Sequence, residues 1–277
     1  MSLLQAIVLG LLQGLTEFLP VSSSGHIELG KVLLQVENPE NVTFSVIVHA
    51  ATVLSTMVVF RRDIANLLIG LLRFENNEET RYTGLLLLSM IPVGVVGVFF
   101  KDEVESFFSG NLLLVGSMLL VTALLLVLSM KLPHQHRGIH PGSALLIGLA
   151  QAVAVLPGIS RAGATISTAL MLGVDRAQAA RFSFLMVLAP IIGATLLEVK
   201  DILEGEAEAA AGQVEILPLM AGFLAAFISG VLACHWMIAL VRKAQLSYFA
   251  LYCAIVGTVA IVSGILLHEP NATALGF

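Results

Sequence analysis

Long apolar stretches separated by short polar loops make up almost the whole of this 277-residue chain. A helix needs roughly 20 predominantly apolar residues to cross the hydrocarbon core of a bilayer. The pattern predicts six membrane-spanning helices, near residues 44–60, 82–100, 112–130, 182–199, 217–240 and 248–267. An amphipathic stretch over residues 64–74 follows the first span and is expected to lie along the membrane interface.

Two further apolar stretches are interrupted in the middle by polar, proline and glycine residues. Residues 3–19 stop at Pro20 and are followed by residues 22–34, while residues 148–156 and 160–172 form a second broken pair. Each arm is too short to cross a membrane, so each pair predicts a re-entrant hairpin whose tip lies inside the bilayer. Such a tip is tolerated only where it is buried in protein or lines a wet cavity.

One constant spacing relates the two halves of the chain. Gln13 matches Gln151, and Ser22 matches Ser160, at the same offset. Each half therefore has one hairpin and three spans, and an odd number of crossings turns the second half upside down. This arrangement is the inverted repeat of many membrane transporters, which place their sites at the midplane between half-helices.

The predicted fold is all-α: a polytopic membrane protein with an inverted-topology repeat, six transmembrane helices and two re-entrant helix hairpins. Residues 1–277 form one membrane domain, with one repeat over about 1–130 and the other over about 141–268. Only 12% of the residues are charged, about half the share in a soluble domain. Ten Lys and Arg residues fall on one side of this topology and three on the other. The basic side is therefore cytoplasmic, and the mouth of the first hairpin faces outward.

Ionisable side chains at the hairpin tips are the candidate functional residues, because a charge in apolar surroundings is costly and is usually kept for function. Glu17 and His26 flank the first tip, and Arg161 lies at the second. The second arm of each hairpin starts at serine, a good N-cap, and a helix N-terminus favours anions. Two such ends meeting near an arginine predict a phosphate site. The alternative is that Arg161 pairs with Glu17 only to stabilise the fold.

Several roles remain open for the polar residues of the first hairpin. Gln13 and Glu17 lie four residues apart and share a helix face, so Glu17 can act as a base or join Gln13 in holding a divalent cation. His26 can act as a general acid or base, or as a nucleophile. The nucleophile is Ser23, His26 or water. His49 has no such neighbours in the sequence and is interpreted as structural.

The same residues resemble the undecaprenyl-diphosphate phosphatase family, bacterial membrane enzymes associated with bacitracin resistance. Two motifs carry the resemblance, and their matched positions are Gln13, Glu17, Pro20, Ser22, Ser23, Gly25 and His26, then Pro157, Gly158, Ser160, Arg161 and Thr165. Gln13 is the neutral option at its position, which weakens a metal site built on two carboxylates. Ala162 stands where the family usually has a second serine.

The resemblance implies hydrolysis of undecaprenyl diphosphate to the monophosphate and inorganic phosphate, dependence on Mg²⁺ or Ca²⁺, and an active site open to the outer face of the bacterial plasma membrane. The product is a lipid carrier for cell-wall synthesis. The predicted catalytic residues are Glu17, His26, Ser23 and Arg161, and the predicted metal ligands are Glu17 and Gln13. The predicted substrate-binding residues are Ser22, Ser24, Ser160, Thr165, Gly158 and Gly163.

The expected partners are a polyprenyl diphosphate and membrane lipid, without nucleic acid, and a homodimer stays open. The rival function is transport, by a lipid-phosphate flippase or an anion carrier built on the same inverted repeat. The second half favours the enzyme, because Val155 and Ala164 stand where the first half has Glu17 and His26. Translocation alone does not require that acid–base chemistry on one hairpin.

Overall fold

The computed structural model of the chain describes residues 1–34, 36, 42–107, 111–132, 136–203, 216–243 and 245–268. Over these residues the secondary structure is helical, apart from one isolated bridge between Arg137 and Val174. The helices of the first half are α1 (Leu3–Phe18), α2 (Ser23–Leu33), α3 (Val42–Val59), α4 (Arg61–Leu72), α5 (Glu78–Phe99), α6 (Lys101–Ser106) and α7 (Leu112–Lys131). Those of the second half are α8 (Pro141–Val153), α9 (Arg161–Met171), α10 (Arg176–Leu203), α11 (Ile216–Arg242) and α12 (Ser247–His268).

Within the described part of the chain, four helices are long and apolar enough to cross a membrane: α5, α7, α11 and α12. α3 and α4 pass the same test only as a pair, and the chain bends by 74° between them. α4 therefore leaves the direction of α3 where the sequence predicts an interfacial helix. α10 is 28 residues long and contains the predicted span 182–199. The protein is a multi-pass membrane protein, and its division into six spans and two hairpins remains a prediction.

The first hairpin consists of α1 and α2, joined by a short break around Pro20. Ser2 begins α1 with a capping box, in which its hydroxyl accepts from the backbone N–H of Gln5. At 1.5 Å per residue, the 16 residues of α1 extend about 24 Å, less than the thickness of the hydrocarbon core. Ser22 turns the chain in a left-handed conformation with φ 69°, and α2 starts at the next residue.

The second hairpin consists of α8 and α9, and its break contains Gly158. α8 begins at Pro141 and ends at Val153, so the predicted first arm, 148–156, was wrong at both ends. The reason for the early start is the cap formed by His140, whose ring accepts from the backbone N–H of Ser143. Gly158 has φ +96°, and a Cβ at that position would lie 2.5 Å from the carbonyl oxygen of Val115. Only glycine fits this turn.

The hairpin of each half packs against a long helix of the other half. α1 packs on α11, and α8 packs on α5. Both contacts depend on a glycine: a Cβ at Gly10 would lie 2.3 Å from the carbonyl oxygen of Gly222, and one at Gly148 would lie 2.3 Å from that of Ser89. α7 and α12, which are matched in the repeat, pack on each other. The two halves are therefore interlocked in a reciprocal way.

Candidate active site

An ion pair joins the two hairpin tips. Nη2 of Arg161 lies 2.6 Å from Oε1 of Glu17, and the side chain of Glu17 is only 7% exposed. Glu17 lies in the last turn of α1 and Arg161 is the first residue of α9, so the pair forms where the two breaks meet. Taking two charges out of water is costly unless they are paired and hydrogen-bonded, and both conditions hold here.

The second carboxylate oxygen of Glu17 receives two further hydrogen bonds. Ser23 Oγ donates to Oε2 at 2.6 Å, and Gln13 Nε2 donates to the same atom at 3.0 Å. Ser23 is 9% exposed and Gln13 is fully buried. The carboxylate thus has a hydroxyl on one side and a guanidinium on the other. A hydroxyl bonded to a potential base is the arrangement of an activated nucleophile.

Gln13 provides the test for the implied divalent cation. Its Oε1 is buried and has no hydrogen-bond partner among the residues that the structure describes. A buried amide oxygen without a partner is costly, and it is a ligand that hard cations accept. The same part of the chain contains no cluster of three His, Cys, Asp or Glu residues. Gln13 Oε1 is therefore available to a cation, whereas Glu17 would have to exchange a hydrogen bond from Arg161, Ser23 or Gln13 in order to bind one.

Both tips present the start of a helix, and each start is capped by a serine. The backbone N–H of Gly163 donates to Ser160 Oγ at 3.0 Å, and that of Gly25 donates to Ser22 Oγ at 3.3 Å. These two contacts are equivalent under the repeat. Since a helix N-terminus carries partial positive charge, the two starts add to Arg161 as features that favour an anion.

The predicted substrate-binding residues are only partly accessible in this conformation. Ser24 is half-buried, and its hydroxyl lies 3.3 Å from that of Ser22. Ser160 is buried and its hydroxyl lies 3.5 Å from the carbonyl oxygen of Leu19, which brings the second tip against the first. Thr165 is fully buried and donates to the carbonyl oxygen of Arg161. Gly158 lies at the turn of the second hairpin, and Gly163 lies inside the cap of α9.

His26 belongs to a separate hydrogen-bonded group. Its Nδ1 lies 2.8 Å from the carbonyl oxygen of Ser22, and its Nε2 lies 2.8 Å from the hydroxyl of Tyr252 on α12. Glu17, at the end of α1, is hydrogen-bonded to Arg161, Ser23 and Gln13. Among the described residues, the predicted acid and the imidazole therefore belong to separate hydrogen-bond networks.

A small cavity adjoins the ion pair on the side of α3 and α10. Its volume is about 20 Å³, room for one water molecule. Glu17, Arg161, Thr52 and Ser183 provide polar lining, and apolar side chains complete the wall. Ser183 is 1% exposed, and its hydroxyl has no partner among the described residues. The cavity therefore offers a buried hydroxyl beside the charged pair.

Two residues that sequence reasoning passed over support the site directly. Thr122 of α7 accepts from the backbone N–H of Ser160 at 3.0 Å, which anchors the second tip. Its hydroxyl lies 3.2 Å from the carbonyl oxygen of Met118 on its own helix and 3.3 Å from that of Gly158. The hydroxyl of Tyr252 is hydrogen-bonded to the imidazole of His26, beside the first tip. A hydroxyl within an apolar span was the only signal that could have found them.

The family described as bacitracin resistance protein BacA matches residues 6–259. This chain belongs to that family. The match covers both hairpins and all the residues bonded to Glu17.

Curated members of the family are similar to the chain over nearly its whole length. An undecaprenyl-diphosphatase of Bacteroides fragilis is 54% identical, covering 93% of this chain and 97% of that protein. One of Parabacteroides distasonis is 52% identical over 96% of this chain and all of the relative. A more distant one, of Halothermothrix orenii, is 40% identical over 95% of this chain and 98% of the relative.

Proposed function

We propose that the protein is an integral membrane phosphatase that hydrolyses undecaprenyl diphosphate to undecaprenyl phosphate and inorganic phosphate. The reaction recycles undecaprenyl phosphate, a lipid carrier for cell-wall synthesis. The observation that carries the proposal is the buried Glu17 carboxylate with Ser23 on one oxygen and Arg161 on the other. The substrate is inferred from the family relatives, which are named undecaprenyl-diphosphatase.

Arg161 and the two helix starts bind the diphosphate. Arginine grips phosphate oxygens bidentately, and phosphoryl transfer depends mainly on positioning and on stabilising charge at those oxygens. In the structure Arg161 is hydrogen-bonded to Glu17. A phosphate group of the substrate competes with Glu17 for the guanidinium of Arg161. Once the guanidinium has left the Glu17 carboxylate, that carboxylate becomes a better proton acceptor. Substrate binding thereby prepares the base.

Ser23 is the nucleophile favoured by the geometry, because its Oγ already donates to Glu17 at 2.6 Å. Ser23 Oγ attacks the terminal phosphorus, its proton passes to Glu17, and the bond from phosphorus to the bridging oxygen breaks to release undecaprenyl phosphate. Water then hydrolyses the phosphoserine, which releases inorganic phosphate and restores the Ser23 hydroxyl. His26 is placed on α2, one turn after Ser23, to take or give a proton in the second step.

A divalent cation, Mg²⁺ or Ca²⁺, is part of the proposal, with Gln13 and Glu17 as the protein ligands. When bound it would neutralise charge on the diphosphate. Support comes from the unpartnered Oε1 of Gln13. Chelation with EDTA should stop phosphate release, and Gln13→Ala should raise the Mg²⁺ concentration for half-maximal rate several-fold. Full activity in EDTA would remove the cation from the proposal.

The proposed topology has six spans, two re-entrant hairpins and an active site open to the outer face of the plasma membrane. The placement of basic residues supports this orientation, and the reciprocal packing of the hairpins supports the inverted repeat. Single-cysteine labelling with a membrane-impermeant maleimide tests it, on a background in which Cys234 and Cys253 are replaced. A cysteine at exposed Ser2 should react from outside intact cells, and one at Arg62 should react only after lysis.

Phosphate release from undecaprenyl diphosphate by the purified chain tests the reaction itself. Ser23→Ala should abolish release, and Ser24→Ala, a neighbouring serine on the same helix, should reduce it far less. If Ser23→Ala keeps near wild-type turnover, Ser23 is not the nucleophile. If the wild-type chain releases no phosphate with Mg²⁺ present, the phosphatase proposal fails.

Transport is the second candidate, favoured by the interlocked hairpins, an arrangement typical of secondary transporters. Liposomes containing the protein and a labelled prenyl phosphate distinguish the two. Movement of the lipid between leaflets without release of phosphate from the diphosphate would favour the carrier.

A further inference from the structure

The two ring nitrogens of His26 have fixed and different roles in the structure. Nδ1 lies 2.8 Å from the carbonyl oxygen of Ser22, and the backbone N–H of His26 donates to the same oxygen. Because a carbonyl can only accept, Nδ1 carries the proton of the neutral ring. Nε2 then has the lone pair, and the hydroxyl of Tyr252 donates to it at 2.8 Å.

Tyr252 also fixes the plane of the imidazole. The two rings are stacked, with centroids 5.5 Å apart and planes inclined by 13°. His26 is 6% exposed, whereas Tyr252 is 43% exposed at the surface of α12. A buried ring is thus held in place by a partner that keeps an open side and has room to move.

The pair has no counterpart at the equivalent positions of the two halves. The residue equivalent to His26 in the second half is Ala164, and the position on α7 equivalent to Tyr252 is Leu114. The second half therefore contributes a phenol to the imidazole of the first half, whereas the equivalent positions carry neither group.

We propose that Tyr252 is a positioning residue for His26: it fixes the orientation of the ring and keeps Nε2 as the proton acceptor. Nε2 is the ring nitrogen available for proton transfer, because Nδ1 is hydrogen-bonded to the carbonyl oxygen of Ser22. Substrate or water takes the place of the phenol at Nε2 during turnover. The catalytic consequence rests on the proposed phosphatase function, whereas the positioning itself does not.

Carbethoxylation of His26 by diethyl pyrocarbonate tests the positioning without any substrate. The reagent reacts with an unprotonated, accessible ring nitrogen, and mass spectrometry of the full-length chain in detergent distinguishes His26 from the other histidines. Tyr252→Phe removes the hydrogen bond and keeps the ring, while Tyr252→Ala removes both. The matched control is Tyr248→Phe, which changes a tyrosine one turn earlier on α12 that is 69% exposed.

We expect His26 to be labelled several-fold faster in Tyr252→Phe, faster still in Tyr252→Ala, and at the wild-type rate in Tyr248→Phe. A wild-type labelling rate in Tyr252→Ala would overturn the positioning role, whatever the protein catalyses. In the phosphate-release assay Tyr252→Phe should lower kcat by about five- to ten-fold, the value of one hydrogen bond, with KM little changed. An unchanged or higher kcat would show that the bond does not serve the reaction, even if the labelling result holds.

Discussion

The ion pair between the hairpins offers the sharpest test, because it separates a structural role of Arg161 from a catalytic one. Arg161→Met leaves the carboxylate of Glu17, 7% exposed, without its counter-charge. Removing one member of a buried pair costs about 3–5 kcal/mol. At about 2–4 °C per kcal/mol for a chain of this size, Tm should fall by roughly 10 °C, and phosphate release should be lost.

The reverse change and the double change give different expectations. Glu17→Gln leaves Arg161 unpaired but 28% exposed, so water can solvate the guanidinium, and the loss should be about half as large. The double variant Glu17→Gln/Arg161→Met has no unpaired charge. Replacing both members of a buried pair is often neutral or better, so Tm should return to within a few degrees of wild type while activity stays absent.

The fluorescence of Trp236 during heating, in one detergent and at one protein concentration, provides the stability measurement. Asp63→Asn is the matched control, because it breaks the ion pair with Arg181, whose members are 33% and 41% exposed, and should cost less than about 1 kcal/mol. It leaves the guanidinium of Arg181 over the ring of Tyr82. If the double variant regains activity together with stability, Arg161 only stabilises the fold. If Arg161→Met does not lower Tm, the pair is not buried in the sense described.

Three further predictions concern a hydrogen bond at the second tip, a close contact between two helices, and a carboxylate with a lowered pKa. Thr122→Val should lower activity about ten-fold by releasing the second tip, since a buried hydrogen bond is lost and its partners are left unpaired, whereas Thr258→Val on α12 should be near neutral in the same assay. Gly148→Ala should cost about 1–3 kcal/mol through overpacking against α5, and Gly97→Ala, where a Cβ meets nothing within 4 Å, should not lower Tm. Although partial burial opposes the charged form of Asp175, bonds from Gln178, His136 and Ala177 hold its pKa below the ordinary 3.8. The charge on Asp175 therefore stabilises the fold fully at pH values above about 3.8. The difference in Tm between the wild type and Asp175→Asn should vanish as the pH falls through the lowered pKa. A difference that persists below that pKa contradicts the assignment.

The sequence was sufficient to predict those site residues whose charge or polarity differs from the apolar residues around them. Glu17 and Arg161 stand out because charges are rare in apolar stretches, and Ser22 and Ser160 because they interrupt helices. Their convergence was expected from the predicted repeat, in which both breaks lie at equivalent depths. The boundary of α8 was missed because the His140 cap is a local contact that periodicity does not register.

The supporting residues could not be recognised for a physical reason. Thr122 and Tyr252 lie within long apolar helices, where a threonine or tyrosine most often bonds its own helix or lies at the lipid surface. Which neighbour each one faces depends on the rotation of α7 and α12 about their axes. That rotation is decided by packing between helices distant in sequence, and a single sequence does not encode it in any local pattern.

The interlocked packing of α1 on α11 also has a consequence for how the protein is made. The partner of Gly10 is Gly222, which leaves the ribosome long after it. At about 5–20 residues per second, the face of α1 around Gly10 waits tens of seconds in the nascent chain without its final neighbour. A chain truncated before α11 lacks that neighbour altogether, and we expect pulse-chase labelling to show that it is degraded faster than the full-length chain.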